Sequence, residues 1–458
     1  MAEFSLEVFQ NEYLSSGATV VDAIVTVTSG GWAPALTGQA SEILIIDTSG
    51  SMDVPPARMR AARQAACEAI DRIRDGVLFA IVAGNERAET VFPVWRPSLV
   101  VADAASRKAA KDVVRALQPG GGTAMSTWLG LARQLFAANP TGLQHAILLT
   151  DGENREEPGQ LEQELAQCRG LFQVDCRGVG TDWSVDELRM IASALLGTVD
   201  IIPEPEQLAA EFGTLMEQAM GRGVGRATLR VKCPKGVAVN FVRQVSPEVR
   251  DLTLEQVPVD DRTLGYPLGA WGAEARDYHL SLTVPANDVG VELLAARVSL
   301  TTDDEVVGPA LIRAIWTDDA ASIRVSPEVA HYEAQSSLTA DIRAGLDALK
   351  HGDERTATFR LGRATKVAEA TGNEGTVRLL QKVVQVEGGP RSGTVRLRSR
   401  IAKADEMALD TRSTVTVRVP AKKPSDGGAE DEMPLETRTS RTVRTKPKRS
   451  PAGDDKRT

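Results

Sequence analysis

The stretch ILIIDTSGSMD (residues 43–53) decides how the rest of the chain is read. Ile43, Leu44, Ile45 and Ile46 form a short unbroken apolar run, the pattern of a strand buried on both faces inside a parallel sheet. The run ends at Asp47. Ser49 and Ser51 follow at a spacing of two, with Gly50 between the serines. A helical pattern then begins, with Met59, Ala62, Ala66, Ile70 and Ile73 on one face and Asp75-Gly76 closing it. Oxygen-bearing side chains are thus collected where a buried strand gives way to a helix. In open α/β sheets that edge is where ligands bind.

One carboxylate and two hydroxyls are hard donors that suit a small hard cation. They leave an octahedral ion such as Mg²⁺ under-coordinated, so other loops, water or a ligand must supply the remainder. Gly120-Gly121-Gly122-Thr123 is a turn that presents a hydroxyl just before another helical run. Residues 146–150 (AILLT) repeat the buried-strand pattern and end in Asp151-Gly152. If the two strands lie parallel in one sheet, Asp47 and Asp151 share an edge.

DTSGS, GGGT and TDG, in this order and at these separations, resemble the metal-ion-dependent adhesion site of a von Willebrand factor A (VWA) domain. The resemblance covers roughly residues 41–221. It implies a doubly wound, mostly parallel α/β sheet, with Asp47, Ser49, Ser51, Thr123 and Asp151 as metal ligands and Mg²⁺ (or Mn²⁺) as the ion. It further implies a coordination position left open for an Asp or Glu carboxylate of a protein partner. Asp53, Trp128, Glu153 and Asn154 sit beside these segments and are expected on the rim, Asp53 alternatively as a helix cap.

Composition bounds the rest. At 458 residues two or three domains are expected, and 42% hydrophobic content is enough for proper cores. A net charge of −9 argues against nucleic acid as the main partner. The start, MAEFSLEVFQNEYL, shows no basic segment followed by an apolar one, and no apolar run reaches the ~18 residues of a membrane span. Four cysteines (67, 168, 176 and 233) fit neither a disulfide framework nor zinc-ligand spacing. These features predict a protein of the cytoplasm, and the resemblance is to the bacterial cytoplasmic type of VWA protein.

The period of the apolar residues divides the chain. Residues 1–40 carry strand alternation at Phe4, Leu6 and Val8 and at Val21, Ala23, Val25 and Val27. Residues 41–222 alternate strand and helix as a doubly wound sheet requires. Over 226–320 the period becomes two, predicting a β-sandwich that the N-terminal strands join, so that the α/β domain is an insertion in it. Residues 327–390 return to helical spacing and predict a three-helix unit. Residues 391–458 read as a linker and a mostly disordered tail.

That tail holds a repeat. EMALDTRSTVTVR (406–418) recurs as EMPLETRTSRTVR (432–444), which repeats order and not only composition. Two copies in flexible chain predict a linear docking motif, with Thr411 and Thr437 as candidate phosphoacceptors. A Ser/Thr kinase would write the mark and a forkhead-associated domain read it.

Three function classes follow. The first is a metal-dependent protein-binding module acting as a scaffold or adaptor in phospho-signalling. The second is an adaptor subunit of an AAA ATPase or chelatase-type complex. The third is a phosphohydrolase-like enzyme with Asp47 as nucleophile. Against the third, haloacid-dehalogenase-like sites need an Asp where Ser49 stands, no G-x-x-x-x-G-K-(S/T) loop is present, and His145, His279, His331 and His351 lie in separate segments. The chain is therefore read as a non-enzyme.

Overall fold

A computed structural model describes residues 3–30, 40–94, 97–140, 142–302, 305–387 and 394–418. It opens with β1 (Glu3–Gln10), β2 (Tyr13–Ser15) and β3 (Val20–Gly30). An α/β segment follows: β4 (Ala40–Asp47), α1 (Ala57–Arg72), β5 (Leu78–Gly84), β6 (Ala88–Phe92), β7 (Val100–Val101) and α2 (Ala104–Ala116). It continues through α3 (Met125–Ala138), β8 (Leu143–Thr150), α4 (Gln160–Cys168), β9 (Gln173–Val179), α5 (Val185–Ala194), β10 (Val199–Ile202) and α6 (Leu208–Met220). Next come β11 (Val224–Lys232), β12 (Ala238–Ser246), β13 (Arg250–Asp251), β14 (Val257–Asp260), β15 (Thr263–Trp271), β16 (Ala275–Thr283), β17 (Glu292–Thr302) and β18 (Val306–Thr317). The chain finishes with α7 (Pro327–Lys350), α8 (Glu354–Ala370), α9 (Glu374–Val383), β19 (Val384–Glu387), β20 (Thr394–Leu397) and α10 (Lys403–Arg412).

The α/β sheet has the order β10-β9-β8-β4-β5-β6, with β7 also on β5. All pairs from β10 to β5 are parallel, and β6 and β7 run antiparallel at one edge. Every residue of β4 is buried, which explains why its sequence lacks alternation. Helices cover both faces: α1 and α6 close one core with Leu44 and Ile46, and α3 and α5 close the other with Ile43 and Ile45. The chain leaves β4 towards β5 and later leaves β8 towards β9, in opposite directions, so the C-terminal ends of β4 and β8 flank the topological switch point.

Two antiparallel-rich sheets form a sandwich, ordered β1-β3-β16-β12-β13 and β14-β15-β11-β17-β18-β2. Their inner faces meet in one core, with Leu6, Val25 and Leu280 from one sheet and Leu229, Val298 and Ile312 from the other. Strands on both sides of the α/β segment therefore share both sheets: β3 pairs with β16, and β2 pairs with β18.

The helical unit is larger than the three helices expected. Asp353 and Asn373 cap α8 and α9 by accepting from Thr356 N and Thr376 N, and Gly352 and Gly372 make the left-handed turns before them. The β19–β20 hairpin and α10 complete the unit, with Val395 and Leu409 in the same core as Leu346 and Leu361. The expected linker is thus folded from residue 394 to 418. Residues 403–412 are polar over most of their surface, but Met407, Ala408 and Leu409 all find apolar cover.

A charged network is buried at the end of the sheet away from Asp47. His145 Nδ1 lies 2.9 Å from both carboxylate oxygens of Glu42, and its Nε2 lies 2.8 Å from Asp175 Oδ2. Arg222, just past α6, reaches Asp175 at 3.2 Å. Burial pushes the Glu42 carboxyl up. Burial also opposes charge on His145, but the neighbouring Glu42 and Asp175 outweigh it and raise its pKa. Asp175 stays ionised well below the usual carboxylate range because Arg222 and His145 overcome its burial. Since the folded pKa of His145 lies above its ordinary ~6.5, its stabilisation is complete below that pH and lost as the pH rises through the folded value. We expect His145→Ala to cost on the order of 3–5 kcal/mol in denaturant unfolding, and to abolish this alkaline decline in stability.

Candidate metal centre

Asp47 closes β4, and its main-chain position delivers a buried carboxylate to the switch point. Its Oδ1 accepts from the Ser49 backbone N–H at 2.7 Å, and its Oδ2 accepts from the Thr150 hydroxyl at 2.5 Å. Ser49 and Ser51 hydroxyls lie 2.9 Å apart, and Ser51 Oγ donates to Asp151 Oδ1 at 2.7 Å. Thr123 comes from the turn ahead of α3. That turn is fastened to the Asp47 loop by Gly50 N to Gly121 O at 3.0 Å and Gly120 N to Thr48 O at 2.7 Å. Asn85 and Glu86, after β5, hold the same turn through Gly120 O and Gly122 N. Three loops are locked together by their own backbones, so the oxygens they carry are pre-positioned.

The oxygens converge. A Cβ on Gly152 would lie 3.1 Å from Ser51 Oγ, 3.4 Å from Thr123 Oγ1 and 3.9 Å from Asp47 Oδ2. The space beside Gly152, itself in the third loop, is thus faced by two oxygens of the Asp47 loop and one of the Thr123 turn, and it is kept open by the missing side chain. Asp47, Ser49, Thr123 and Asp151 are all buried, and Ser51 is half-buried. A set made only of carboxylate and hydroxyl oxygens fits a hard divalent ion.

The electrostatics point the same way. Burial pushes the Asp47 carboxyl up to about 6, against the hydrogen bonds from Thr150 and Ser49 that favour its charge. Burial also raises Asp151, against its contacts with Ser51 and Arg58. Both carboxylates are short of positive charge.

Sequence spacing had no signal for Arg58. From α1 it donates to Asp151 Oδ2 at 2.9 Å and to Asp182 at 2.6 Å, which leaves Asp151 Oδ1 directed at Ser51. Trp128 is not a rim residue. Its ring is fully buried under Gly84, where a Cβ would come within 2.4 Å of it, and its indole N–H donates to Asn85 O at 2.7 Å. Asn154 braces α3 by accepting from Met125 N at 3.0 Å, while Glu153 is exposed. Asp53 is exposed in a short 3₁₀ turn and does not cap α1, whose N-cap is Pro56.

The expectation for Thr411 is corrected. It is buried in α10, and its hydroxyl donates to Met407 O at 2.9 Å, so no kinase reaches it while α10 is docked. Thr437 lies outside the described residues. His279 also gathers acidic neighbours: its Nε2 lies 3.1 Å from Asp22 Oδ1, with exposed Glu333 of α7 beside them. The cysteines are free, and Cys168, Cys176 and Cys233 are buried.

A family model for the von Willebrand factor type A domain matches residues 42–201, and one for the von Willebrand factor type A C-terminal domain matches 366–413. A solved structure, von Willebrand factor type A from Catenulispora acidiphila, is 44% identical, with 91% of this chain and 98% of that one covered at a TM-score of 0.87. This chain belongs to the von Willebrand factor type A family. The VWA2 paralog of ArnB from Sulfolobus acidocaldarius shares the fold at 15% identity and a TM-score of 0.57, over 90% of this chain and 98% of that one. Human inter-alpha-trypsin inhibitor heavy chain H4 is 27% identical over 161 residues, which are 33% of this chain and 17% of that protein. The VWA segment is therefore an interaction module by family, and no described helix is long and apolar enough to cross a membrane.

An acid held above its ordinary pKa destabilises the fold once ionised, so without metal, stability falls as the pH rises from ~4 through about 6. Asp47→Asn removes that charge. In chelator at pH 7.5 it is expected to raise unfolding stability by on the order of 1–2 kcal/mol, and to erase any rise in Tm that Mg²⁺ gives the wild type.

Proposed function

We propose that this VWA protein binds a partner protein through a divalent cation held by Asp47, Ser49, Ser51, Thr123 and Asp151. The observation that carries the reading is the space beside Gly152, faced by the Asp47 and Ser51 oxygens of one loop and the Thr123 hydroxyl of another, with the buried Asp47 and Asp151 carboxylates both raised in pKa. Mg²⁺, or Mn²⁺ in its place, is the ion that such a hard donor set favours. A bound ion would supply Lewis-acid attraction for one further carboxylate, and an Asp or Glu of the partner is the group that answers it.

The chain's own residues set the terms of that contact. Asp47 provides the charge, and the hydrogen bonds from the Ser49 backbone and the Thr150 hydroxyl offset part of the burial that opposes it. Ser51 ties the first loop to Asp151, and Arg58 fixes the orientation of Asp151 from behind. Around the opening, Glu153 is exposed and Val54 is 72% exposed, which gives a partner both a charge to avoid and an apolar surface to cover. A charge-assisted contact in a shielded site makes one acidic residue the anchor, and the rim selects the partner.

A scaffold role in phospho-signalling is compatible with this reading, with Thr437 as the remaining candidate phosphoacceptor. An enzyme role is not favoured, because the position two after Asp47 holds Ser49 in place of a second carboxylate.

Calorimetric titration of the full chain with MgCl₂ and MnCl₂ tests the ion. Wild type should bind one ion per chain, and Asp47→Ala should lose the heat. Gly152→Val keeps all five donors but fills the space they face, and should lose it as well. Equal heats in all three proteins would remove the metal from the function. Affinity capture in Mg²⁺ and in chelator then tests the partner: it should be retained only with both the ion and Asp47.

A further inference from the structure

The first copy of the repeated motif is a strap laid across all three parts of the molecule. Met407 and Ala408 pack into the VWA core with Ile191 and Leu195. Asp410 pairs with Arg189 of α5 at 2.6 Å, and Arg412 reaches Asp200 of β10 at 2.8 Å. Leu409, on another face of α10, is fully buried with Leu338 and Leu380 of the helical unit. Beyond α10 the chain runs extended along the sandwich. Val249 N donates to Thr414 O at 2.7 Å, Thr416 N donates to Pro247 O at 2.9 Å, and Thr416 Oγ1 donates to Val245 O at 2.7 Å. Gln335 of α7 clamps the backbone of Val417, accepting from its N–H at 2.9 Å and donating to its carbonyl at 2.7 Å. Arg418 ends the strap with two 2.9 Å contacts to the buried Asp277 carboxylate.

Residues 432–444 repeat the side chains that make these contacts. Met433, Leu435 and Glu436 stand where Met407, Leu409 and Asp410 do, and Arg438, Thr442 and Arg444 stand where Arg412, Thr416 and Arg418 do. The contacts through Val417 are made by the main chain and hold for Val443 equally. Where the copies differ in bulk and charge, at Val415 and Arg441, the seated residue is 52% exposed and tolerates the change. Three differences are not neutral. Ser413 and Asp410 are buried, and Thr439 and Glu436 each add a carbon there. Pro434 replaces Ala408, which lies in the interior of α10, and a proline there removes a helix hydrogen bond and clashes with the preceding turn.

We propose that residues 432–444 are a second, weaker ligand for the groove that residues 406–418 occupy, and that the two straps exchange within one chain. The residues between them, 419–431, give a tether that keeps the second copy at a high local concentration beside the groove. A neighbouring molecule's groove holds its own first copy too, and no tether raises the local concentration there. Pro434 sets the order of preference: the first copy takes the seat, and the second takes it when the first is weakened or released. A phosphate on the seated threonine has no room, because Thr411 is buried, so phosphorylation at Thr437 would disqualify the second copy.

Hydrogen exchange read by mass spectrometry on the full chain tests the proposal. Pro434 lies outside the described residues, and its replacement by alanine leaves every side chain of the seated first copy in place. It should slow exchange in 432–444 by up to about a hundredfold, with a matching loss of protection in 406–418. Arg418→Ala leaves Asp277 hydrogen-bonded by Thr26 and Tyr332 and so spares the fold. In that variant the Val249 amide should stay protected, and should lose protection when Leu435→Asp and Arg444→Ala are added. Exchange in 432–444 at free-chain rates in every variant, or a Val249 amide released by Arg418→Ala alone, would overturn the proposal. Protection of 432–444 that grows with protein concentration would assign the strap to a neighbouring copy, and would equally overturn exchange within one chain.

Discussion

Two carboxylates, buried side by side at the end of a parallel sheet without enough positive charge, are the constraint on which this molecule turns. Asp47 and Asp151 are withdrawn from water by the close packing of β4 and β8 and of the helices that follow them. Hydrogen bonds from Ser49, Ser51 and Thr150 and the guanidinium of Arg58 offset part of the desolvation, yet both groups remain above their ordinary pKa. The cation proposed above would complete the balance, and the missing side chain at Gly152 leaves room for it. The backbone bonds between the Gly50 and Gly121 turns, the missing side chain at Gly152 and the buried Trp128 beneath Gly84 all serve that one edge.

The opposite end of the same sheet solves the same problem differently. Glu42, His145, Asp175 and Arg222 form a chain of alternating charges that needs no outside ion. One end of the sheet is self-sufficient and sits against the segment that leads into the sandwich. The other is incomplete and faces outward. The contrast separates a structural charge network from a receptive one within a single sheet.

Much of the α/β architecture was legible in the chain, because burial on both faces leaves an unbroken apolar run at 43–46 and again at 146–150, each stopped by an aspartate. The period-two pattern after residue 226 was equally open to reading, since one face of each sandwich strand looks to the core. What local pattern cannot carry is who meets whom. Arg58 has no periodic signal, and its partner is 93 residues away. The His145 network joins residues from four separate elements. Trp128 stands next to the Thr123 turn in sequence, but the first turn of α3 rotates it inward. The segment 403–418 reads as linker in the sequence because half of its sixteen residues are Thr, Arg, Asp or Glu and its six apolar residues follow no sustained period. Its order comes from the three surfaces it lies between.

The shared sandwich also fixes the order in which this chain can fold as it is made. Strand β3 lies between β1 and β16, and Thr26 reaches Asp277 across 251 residues of sequence. During synthesis from the N-terminus, β1 and β3 therefore emerge long before the strand that completes their sheet. The α/β unit, whose sheet pairs only strands between residues 40 and 202, can close in between. The central α/β sheet can thus pair its strands before the sandwich that flanks it in sequence is complete.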